Sequence, residues 1–247
     1  MQIKQALEIF MYGEIGIPSV ENRSQRHIID GLTILHVDDV WNQEPHVADE
    51  VIVQNHSPAA VLAMLANYQP TADHRITLVD RPASDHAAYH AAGYRHSSNE
   101  VLFVRKLSDL PPPDQRYSVG QAKTIAEMQW LNNNDPAKRA WISETRLHES
   151  GLRHSFIALD QRVVARVRAC RIDAEHSYVM NLYTASDYRR RGIARALMIH
   201  VLHEAAAHGE QWSVLVASEA GLPLYQALGY QQRASLVVFE PVAEPNN

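Results

Sequence analysis

The sequence predicts a mixed α/β fold (α+β in arrangement), with a mostly antiparallel central sheet flanked by helices and two successive halves. Three strand-like segments at 154–160, 162–172 and 177–184 are separated only by short turns, which is typical of an antiparallel meander. Helical patterns flank that meander on both sides. Residues 83–105 also align with residues 217–239 if two residues are inserted before the tyrosine of the shared Tyr-x-x-x-Gly-Tyr ending, so a strand, a short helix and a strand are predicted twice.

The first half begins with a predicted helix at 3–13, and loops and strands follow up to residue 50. A second helix at 57–68 opens with Ser57-Pro58, and a strand at 76–80 leads to a short helix that ends in Tyr-x-x-x-Gly-Tyr. Gly93 lies there at a helix C-cap, where a left-handed residue is favoured.

A connector at 107–116 contains three consecutive prolines, which forbid a helix and favour an extended, stiff segment. We therefore expect a domain boundary there, with a first domain at 1–110 and a second at 117–247.

The second half has a fuller pattern. Its predicted elements are helices at 119–133 and 134–150, the meander, a helix from about Gly192 to Ala207, a strand at 212–217, a helix at 219–228 and a strand at 233–240. Asn134 or Asp135 is expected to cap the helix at 134–150, with Pro136 in its first turn.

The charge distribution argues against a nucleic-acid-binding protein. The net charge is −5; residues 1–110 carry 8 Lys and Arg against 14 Asp and Glu, and residues 111–247 carry 15 against 14. Neither half has the continuous basic excess that contacts with many phosphates require. We expect no nucleic acid among the partners.

Cysteine and hydropathy patterns predict a cytoplasmic protein without a membrane partner. The single Cys170 cannot form an intrachain disulfide, and no apolar segment approaches the roughly 18 residues of a membrane span. The histidine pairs 86/90 and 200/203 have helical spacing but no third ligand at a fixed distance, so no metal site is predicted.

The segment "YRRRGIARALM" at 188–198 follows a strand that ends near Thr184 and opens a helix. The first N–H groups of a helix lack internal partners, and the helix dipole adds positive partial charge at that end. Gly192 and Ala194 leave the backbone open to close approach, so the amides of residues 190 to 195 predict a pyrophosphate site. The neighbouring arginines supply charge and forked donors.

Two motifs in this order, "RRRGIA" (189–194) and "SEAGLPLYQALGY" (218–230), resemble the GNAT superfamily of acyl-CoA-dependent N-acyltransferases. In that family Gln/Arg-x-x-Gly-x-Gly/Ala opens the helix that binds the coenzyme A pyrophosphate, and Asn-x-x-Ala-x-x-Leu-Tyr-x-x-x-Gly-Phe follows farther along. Here Tyr225 lies 33 positions after Gly192, and Leu224, Gly229 and Tyr230 match the second pattern. The resemblance covers residues 117–240. It implies a GNAT fold and acetyl-CoA as co-substrate, without a metal.

The resemblance also implies roles for individual residues. Leu182, Tyr183 and Thr184 are expected to line the acetyl and pantetheine arm, where backbone N–H groups polarise the thioester carbonyl. Tyr225 matches the family's general acid, which protonates the departing thiolate, because a phenol stays protonated at neutral pH. The other predicted cofactor-binding residues are Arg189, Arg190, Arg191, Gly192, Ile193, Ala194, Arg195 and Ser218.

The sequence departs from the family pattern at three positions. Ser218 stands in place of the usual Asn, Gly221 in place of Ala, and Ser186 in place of a proline before the arginines. The shorter hydroxyl at 218 weakens the expected hydrogen bond to the cofactor.

The general base and the acceptor site are left open by the sequence. Amine attack requires a proton acceptor, and the candidates are Glu144, His148 and Asn181, the last of which would orient a water. Trp130 and Trp141 are candidates for a wall of the acceptor site or for core aromatics.

The first half repeats the Tyr-x-x-x-Gly-Tyr ending, with Tyr89 in place of Tyr225, but its helix at 57–68 has no glycine-rich approach. It resembles a degenerate GNAT-like half that shapes the acceptor cleft. We expect acetyl transfer by direct attack of a small-molecule amine, which the acidic first half would attract. The alternatives are a non-catalytic coenzyme A-binding regulatory protein and a transferase of another acyl group. A nucleic-acid module built on the arginines ranks last, and the oligomeric state is left open.

Overall fold

The computed structural model describes residues 1–16, 22–41, 44–135 and 142–242. The first half contains α1 (Ile3–Ile15), β1 (Gln25–Ile29), β2 (Leu32–Trp41), β3 (Glu44–Val53), α2 (Pro58–Tyr68), β4 (His74–Val79), α3 (His86–Ala91) and β5 (Tyr94–Lys106). The second half contains β6 (Val119–Gln121), α4 (Ile125–Asn134), α5 (Glu144–Leu147), β7 (Leu152–Leu159), β8 (Arg162–Arg171), β9 (His176–Thr184), α6 (Ile193–Ala207), β10 (Trp212–Ser218), α7 (Leu222–Ala227) and β11 (Gln231–Pro241). None of the described helices combines the length and apolarity needed to cross a membrane.

One region of the second half differs from its prediction. The segment expected to be a helix at 119–133 begins with β6, and α4 starts only after Thr124, whose side chain forms a capping box with Glu127. The prediction of a helix at 134–150 is also wrong. Asp135 has extended backbone angles, and beyond it only the short α5 is helical within the described part of this range. Asn134 ends α4 instead of capping a new helix, and Pro136 lies outside the described residues.

The described strands form a single sheet of eleven strands in the order β1-β2-β3-β4-β11-β5-β10-β9-β8-β7-β6. The final strands of the two halves are exchanged. β11 pairs with β4 of the first half, β5 pairs with β10 of the second half, and β5 and β11 pair with each other, all antiparallel. The sheet therefore runs without interruption across the predicted boundary at 107–116, and the division into domains at 1–110 and 117–247 stays a prediction.

The two halves repeat the same series of elements. Each has a three-stranded antiparallel meander, a helix, a strand, a 3-10 turn with a short helix, and a final strand. α7 lies 136 residues after α3, with Tyr225 in the position of Tyr89 and Gly229 in that of Gly93. Both tyrosines are buried and both glycines have φ near +80°. The alignment of residues 83–105 with residues 217–239 thus corresponds to a repeat in three dimensions.

The sheet is covered on both faces at its centre. α6 packs on one face in a core that includes Phe103, Val179 and Leu215. α1 packs on the opposite face, in a core that includes Leu102 and Tyr178. Since neighbouring residues of a strand point to opposite faces, this alternation fixes which side of β5 and β9 faces each helix.

Candidate active site

A gap opens in the sheet between β9 and β10. The two strands are parallel neighbours only from His176 to Tyr178 and from Trp212 to Val214. Beyond these residues β9 continues to Thr184 and β10 to Ser218 without pairing to each other. The predicted residues Leu182, Tyr183 and Thr184 lie on one side of this gap, and Ser218 lies exposed at the end of the other.

A β-bulge lies in β9 at the gap. The register of β9 against β8 shifts between the pairs Arg166–Tyr183 and Arg168–Met180, so two residues of β9 oppose one of β8. Asn181, inside the bulge, has a left-handed backbone with φ of 58°. The Arg166 guanidinium donates to the Asn181 carbonyl at 3.5 Å and pairs with buried Asp135 at 3.0 Å, which supports the bulge from the β8 side.

The N-terminus of α6 directly follows the run of arginines. Gly192, the N-cap, has φ of +82°, and no side chain caps this helix end. Arg190, two residues earlier, is also left-handed. Ile193 is buried in the core around α6, so only its backbone is available to a ligand. The first amides of a helix with no side-chain cap are a site for an anion.

The arginine side chains of this segment divide into two groups. Arg189 donates to the Thr184 carbonyl at 3.0 Å, and Arg191 donates to the Asp187 carbonyl at 2.8 Å. The first contact ties the loop to the end of β9, and the second joins two residues within the loop. Arg190 and Arg195 are exposed, so their charges are available to a ligand in solvent.

We call the uncapped N-terminus of α6, residues 190–195, the cradle. Arg116, in the proline-rich connector, lies beside it, and the sequence did not indicate this. A Cβ atom placed on Gly192 would lie 2.9 Å from its Nη2 atom. Asp114 holds the Arg116 guanidinium through contacts of 2.9 and 2.6 Å, and these hydrogen bonds lower the pKa of Asp114 to about 2. Tyr117 beside it donates to the Arg191 carbonyl at 2.8 Å. No local pattern marks Arg116, because the contact depends on how the connector returns to α6.

Tyr225 is buried on α7, and burial raises its pKa to about 12. Its ring lies 6.2 Å from that of Phe103 and 5.7 Å from that of Tyr230. A Cβ on Gly221 would lie 2.9 Å from the Tyr225 ring, so the glycine that replaces the usual Ala lets the ring approach this backbone closely. The phenol is protonated at neutral pH, as a general acid must be.

The corresponding places in the first half are closed. The N-terminus of α2 is capped by its own Ser57, whose hydroxyl accepts from the Ala60 amide at 3.3 Å. β3 and β4 stay paired to the last residue of β3, so no gap separates them. Tyr89, the counterpart of Tyr225, is fully buried, and its hydroxyl has no hydrogen-bond partner among the described residues. The first half therefore lacks both the cradle and the gap.

A cavity of about 110 Å³ lies on the α1 side of the sheet, beside the bulge. Glu14 of α1, Arg168 and Cys170 of β8, and Met180 and Asn181 of β9 are among its lining residues. Glu14 accepts a hydrogen bond from the Tyr178 hydroxyl at 2.7 Å, and burial raises its pKa. The sequence did not indicate Glu14, because α1 belongs to the first half and only the packing of α1 on β9 brings it here.

The sequence-based candidates for the acceptor side have mixed outcomes. Asn181 lines the cavity, whereas Glu144 and His148 are exposed and are not among its lining residues. Trp130 packs against Phe156 with ring centres 5.7 Å apart, in a core cluster with α4. Trp141 lies outside the described residues. Among the described residues, no group of three or more His, Cys, Asp or Glu is arranged to hold a metal ion.

Comparison with known proteins shows what this arrangement resembles. The family model of the Acetyltransferase (GNAT) family matches residues 121–230, so this segment is similar to that family. The match supports an acyltransferase. No curated protein matches the sequence.

Solved structures share the fold over nearly the whole chain. A GCN5-related N-acetyltransferase from Kribbella flavida is 17% identical, with a TM-score of 0.66, and the match covers 99% of this chain and 96% of that one. A GCN5-related N-acetyltransferase-like protein from Streptococcus suis 89/1591 is 12% identical over 98% of both chains, with a TM-score of 0.60. A tandem GNAT protein from the clavulanic acid biosynthesis pathway is 12% identical, with a TM-score of 0.53, over 100% of this chain and 96% of that one. The GNAT fold predicted from the sequence is confirmed.

Proposed function

We propose that this protein is an N-acetyltransferase that transfers the acetyl group of acetyl-CoA to a primary amine of a small molecule by direct attack. One observation carries the proposal: the gap between β9 and β10 opens beside the uncapped N-terminus of α6, whereas the equivalent gap and helix end of the first half are closed. A gap with an anion site beside it fits a long ligand that carries a pyrophosphate.

The residues present fit such a ligand. The amides of residues 190 to 195 would hold the pyrophosphate, with Arg190, Arg195 and Arg116 adding positive charge. Leu182, Tyr183 and Thr184 would contact the pantetheine arm along the edge of β9. Acetyl-CoA supplies an acyl group activated as a thioester. Tyr225 would donate its proton to the departing sulfur, and backbone N–H groups near the bulge would polarise the carbonyl.

The acceptor is a small amine, in this proposal, because the cavity on the α1 side of the bulge holds only about 110 Å³. The reacting end of the acceptor must fit that space. We place the reaction in the cytoplasm, where the free, buried Cys170 would stay reduced.

The test combines binding and turnover. Calorimetry should detect acetyl-CoA binding, and incubation with acetyl-CoA and a panel of primary amines should release free thiol. The same assay with propionyl-CoA and longer donors determines the acyl group. A chain that binds acetyl-CoA but releases no thiol with any amine would support the regulatory alternative, and a chain that binds no acyl-CoA would refute both.

A further inference from the structure

The cavity lined by Glu14 lies across the sheet from the cofactor cradle. α6 covers one face and α1 the other. The sheet that separates them is continuous as far as the Tyr178–Val214 pair and open beyond it. Met180 and Asn181, which line the cavity, are the second and third residues after Tyr178. A thioester held in the gap would therefore face this cavity from the opposite side.

Glu14 is held in place by close packing of α1 on β9. A Cβ atom on Gly13 would lie 2.0 Å from Cδ1 of the Tyr178 ring, so only glycine allows this contact between helix and strand. The same tyrosine donates its hydroxyl proton to Glu14 Oε1 at 2.7 Å. The packing and the hydrogen bond together fix the carboxylate at the cavity, at the C-terminal turn of α1.

The charged groups around Glu14 come from several strands and from α5. Arg75 of β4 lies 3.4 Å from its carboxylate but also pairs with Glu50 of β3, so its charge is shared between two acids. Glu100 of β5 adds a further negative charge. Arg168 of β8 and Arg146 of α5 also line the cavity.

Burial raises the pKa of Glu14, and the nearby Glu50 and Glu100 act in the same direction, whereas Arg75 and the Tyr178 hydroxyl oppose it. A carboxylate with a raised pKa is a stronger base than an exposed one. Its side chain keeps 28% of its surface exposed, so a proton taken there can reach solvent.

We propose that Glu14, supplied by the first half of the chain, is the proton acceptor for a compact primary amine bound in this cavity. The proposal rests on the proposed function and adds to it the acceptor site and the base. It also gives the first half a direct part in the reaction.

The proton and bond balance is complete without another reactant. The ammonium group of the acceptor transfers one proton to Glu14, which passes it to solvent. The neutral nitrogen then forms a bond to the thioester carbonyl carbon, and the C–S bond breaks with its electron pair on sulfur. Sulfur takes the proton of Tyr225, and the second proton of the nitrogen restores that phenol through water. The products are the N-acetyl amine, the free thiol and one proton.

The test measures kcat/KM for the best amine of the panel against pH in the wild type, Glu14→Gln and Glu8→Gln. Glu8 lies on the same helix and pairs with Arg26, away from the cavity, so it is a matched control. We expect Glu14→Gln to lose at least 100-fold in kcat/KM and to lose the acidic limb of the profile, with an unchanged affinity for acetyl-CoA. Glu8→Gln should resemble the wild type.

A second variant keeps the test decisive if Glu14→Gln folds poorly. Tyr178→Phe removes a hydrogen bond that lowers the pKa of Glu14, so the acidic limb should move to higher pH. An active wild type whose profile neither variant changes would overturn this proposal and leave the proposed function intact. A wild type that acetylates no amine would overturn both.

Discussion

The substitution Gly192→Ala tests the cradle directly. At a φ of +82° an alanine is strained by about 1–2 kcal/mol, and its Cβ would lie 2.9 Å from Arg116 Nη2. The guanidinium is the far end of a flexible side chain that is 66% exposed, so it can shift away from the added methyl group, although this weakens its contacts with Asp114. We expect the helix end to relieve the strain by rotating its first amides away from the ligand position.

The expected loss of affinity follows from the hydrogen bonds of those amides. One hydrogen bond to a charged group contributes about 1.5–3 kcal/mol. At 1.4 kcal/mol per factor of ten, losing one such bond weakens acetyl-CoA binding about 10- to 150-fold. The strain itself should lower the melting temperature by about 2–8 °C.

Gly209→Ala is the matched control, because Gly209 follows the other end of α6. Its φ is +88°, and nothing lies within 4 Å of an added Cβ, so the backbone strain is the same while the cradle is untouched. Calorimetric titration with acetyl-CoA and thermal melting of both variants give the comparison. Equal acetyl-CoA affinity in the two variants would show that the amides at Gly192 do not bind the pyrophosphate.

Three further substitutions have defined outcomes. Tyr225→Phe should lower kcat about 100-fold or more without changing the KM for acetyl-CoA. Tyr89→Phe, the same change in the first half, should leave kcat unchanged. It should also raise the melting temperature, because it removes a buried hydroxyl with no partner among the described residues. Equal kcat values for the two variants would contradict this assignment. Arg116→Ala should raise the KM for acetyl-CoA about 5-fold at low salt, because it removes an exposed charge that salt screens, and an unchanged KM would exclude a phosphate contact. His154 is buried, and burial lowers its pKa to about 3, so as pH falls below about 6.5 the unfolded chain binds a proton that the folded chain does not. The free energy of unfolding should therefore fall by up to about 1.4 kcal/mol per pH unit between pH 6.5 and 3. Urea unfolding at pH 5 and 7 should show that it depends less steeply on pH in His154→Gln, because that variant takes up one proton fewer on unfolding. The wild-type pH dependence in that variant would refute the account.

The elements that follow from local pattern were predictable. Hydrophobic periodicity, caps and glycines that lie within a few residues of each other predict the meander, α6 and the repeated short helices. The cradle is also a local feature, because Gly192 lies directly at the start of a helix. The error at 119–133 was also local: Thr124 and Glu127 have the spacing of a capping box, which marks the true start of α4.

The parts that depend on long-range pairing were not predictable. Alternating apolar residues show that β5 and β11 are strands, but both halves end in a similar strand, and the pattern does not state which sheet each one joins. Glu14 and Arg116 belong to the site for the same reason. Each reaches it from a segment distant in sequence, Glu14 through the packing of α1 on β9 and Arg116 through the connector.

The exchange of β5 and β11 has a consequence for synthesis on the ribosome. The first half emerges first, but the partner of β4 is residues 231–241, which are made long after it. Until then one side of β4 carries unpaired N–H and C=O groups, the kind of edge that promotes association with other chains. Closing the sheet joins residues more than 150 positions apart, a slow step in folding. A truncation that removes β11 would expose β4 and one side of β5 together, so a loss near the end of the chain would damage the half that was made first.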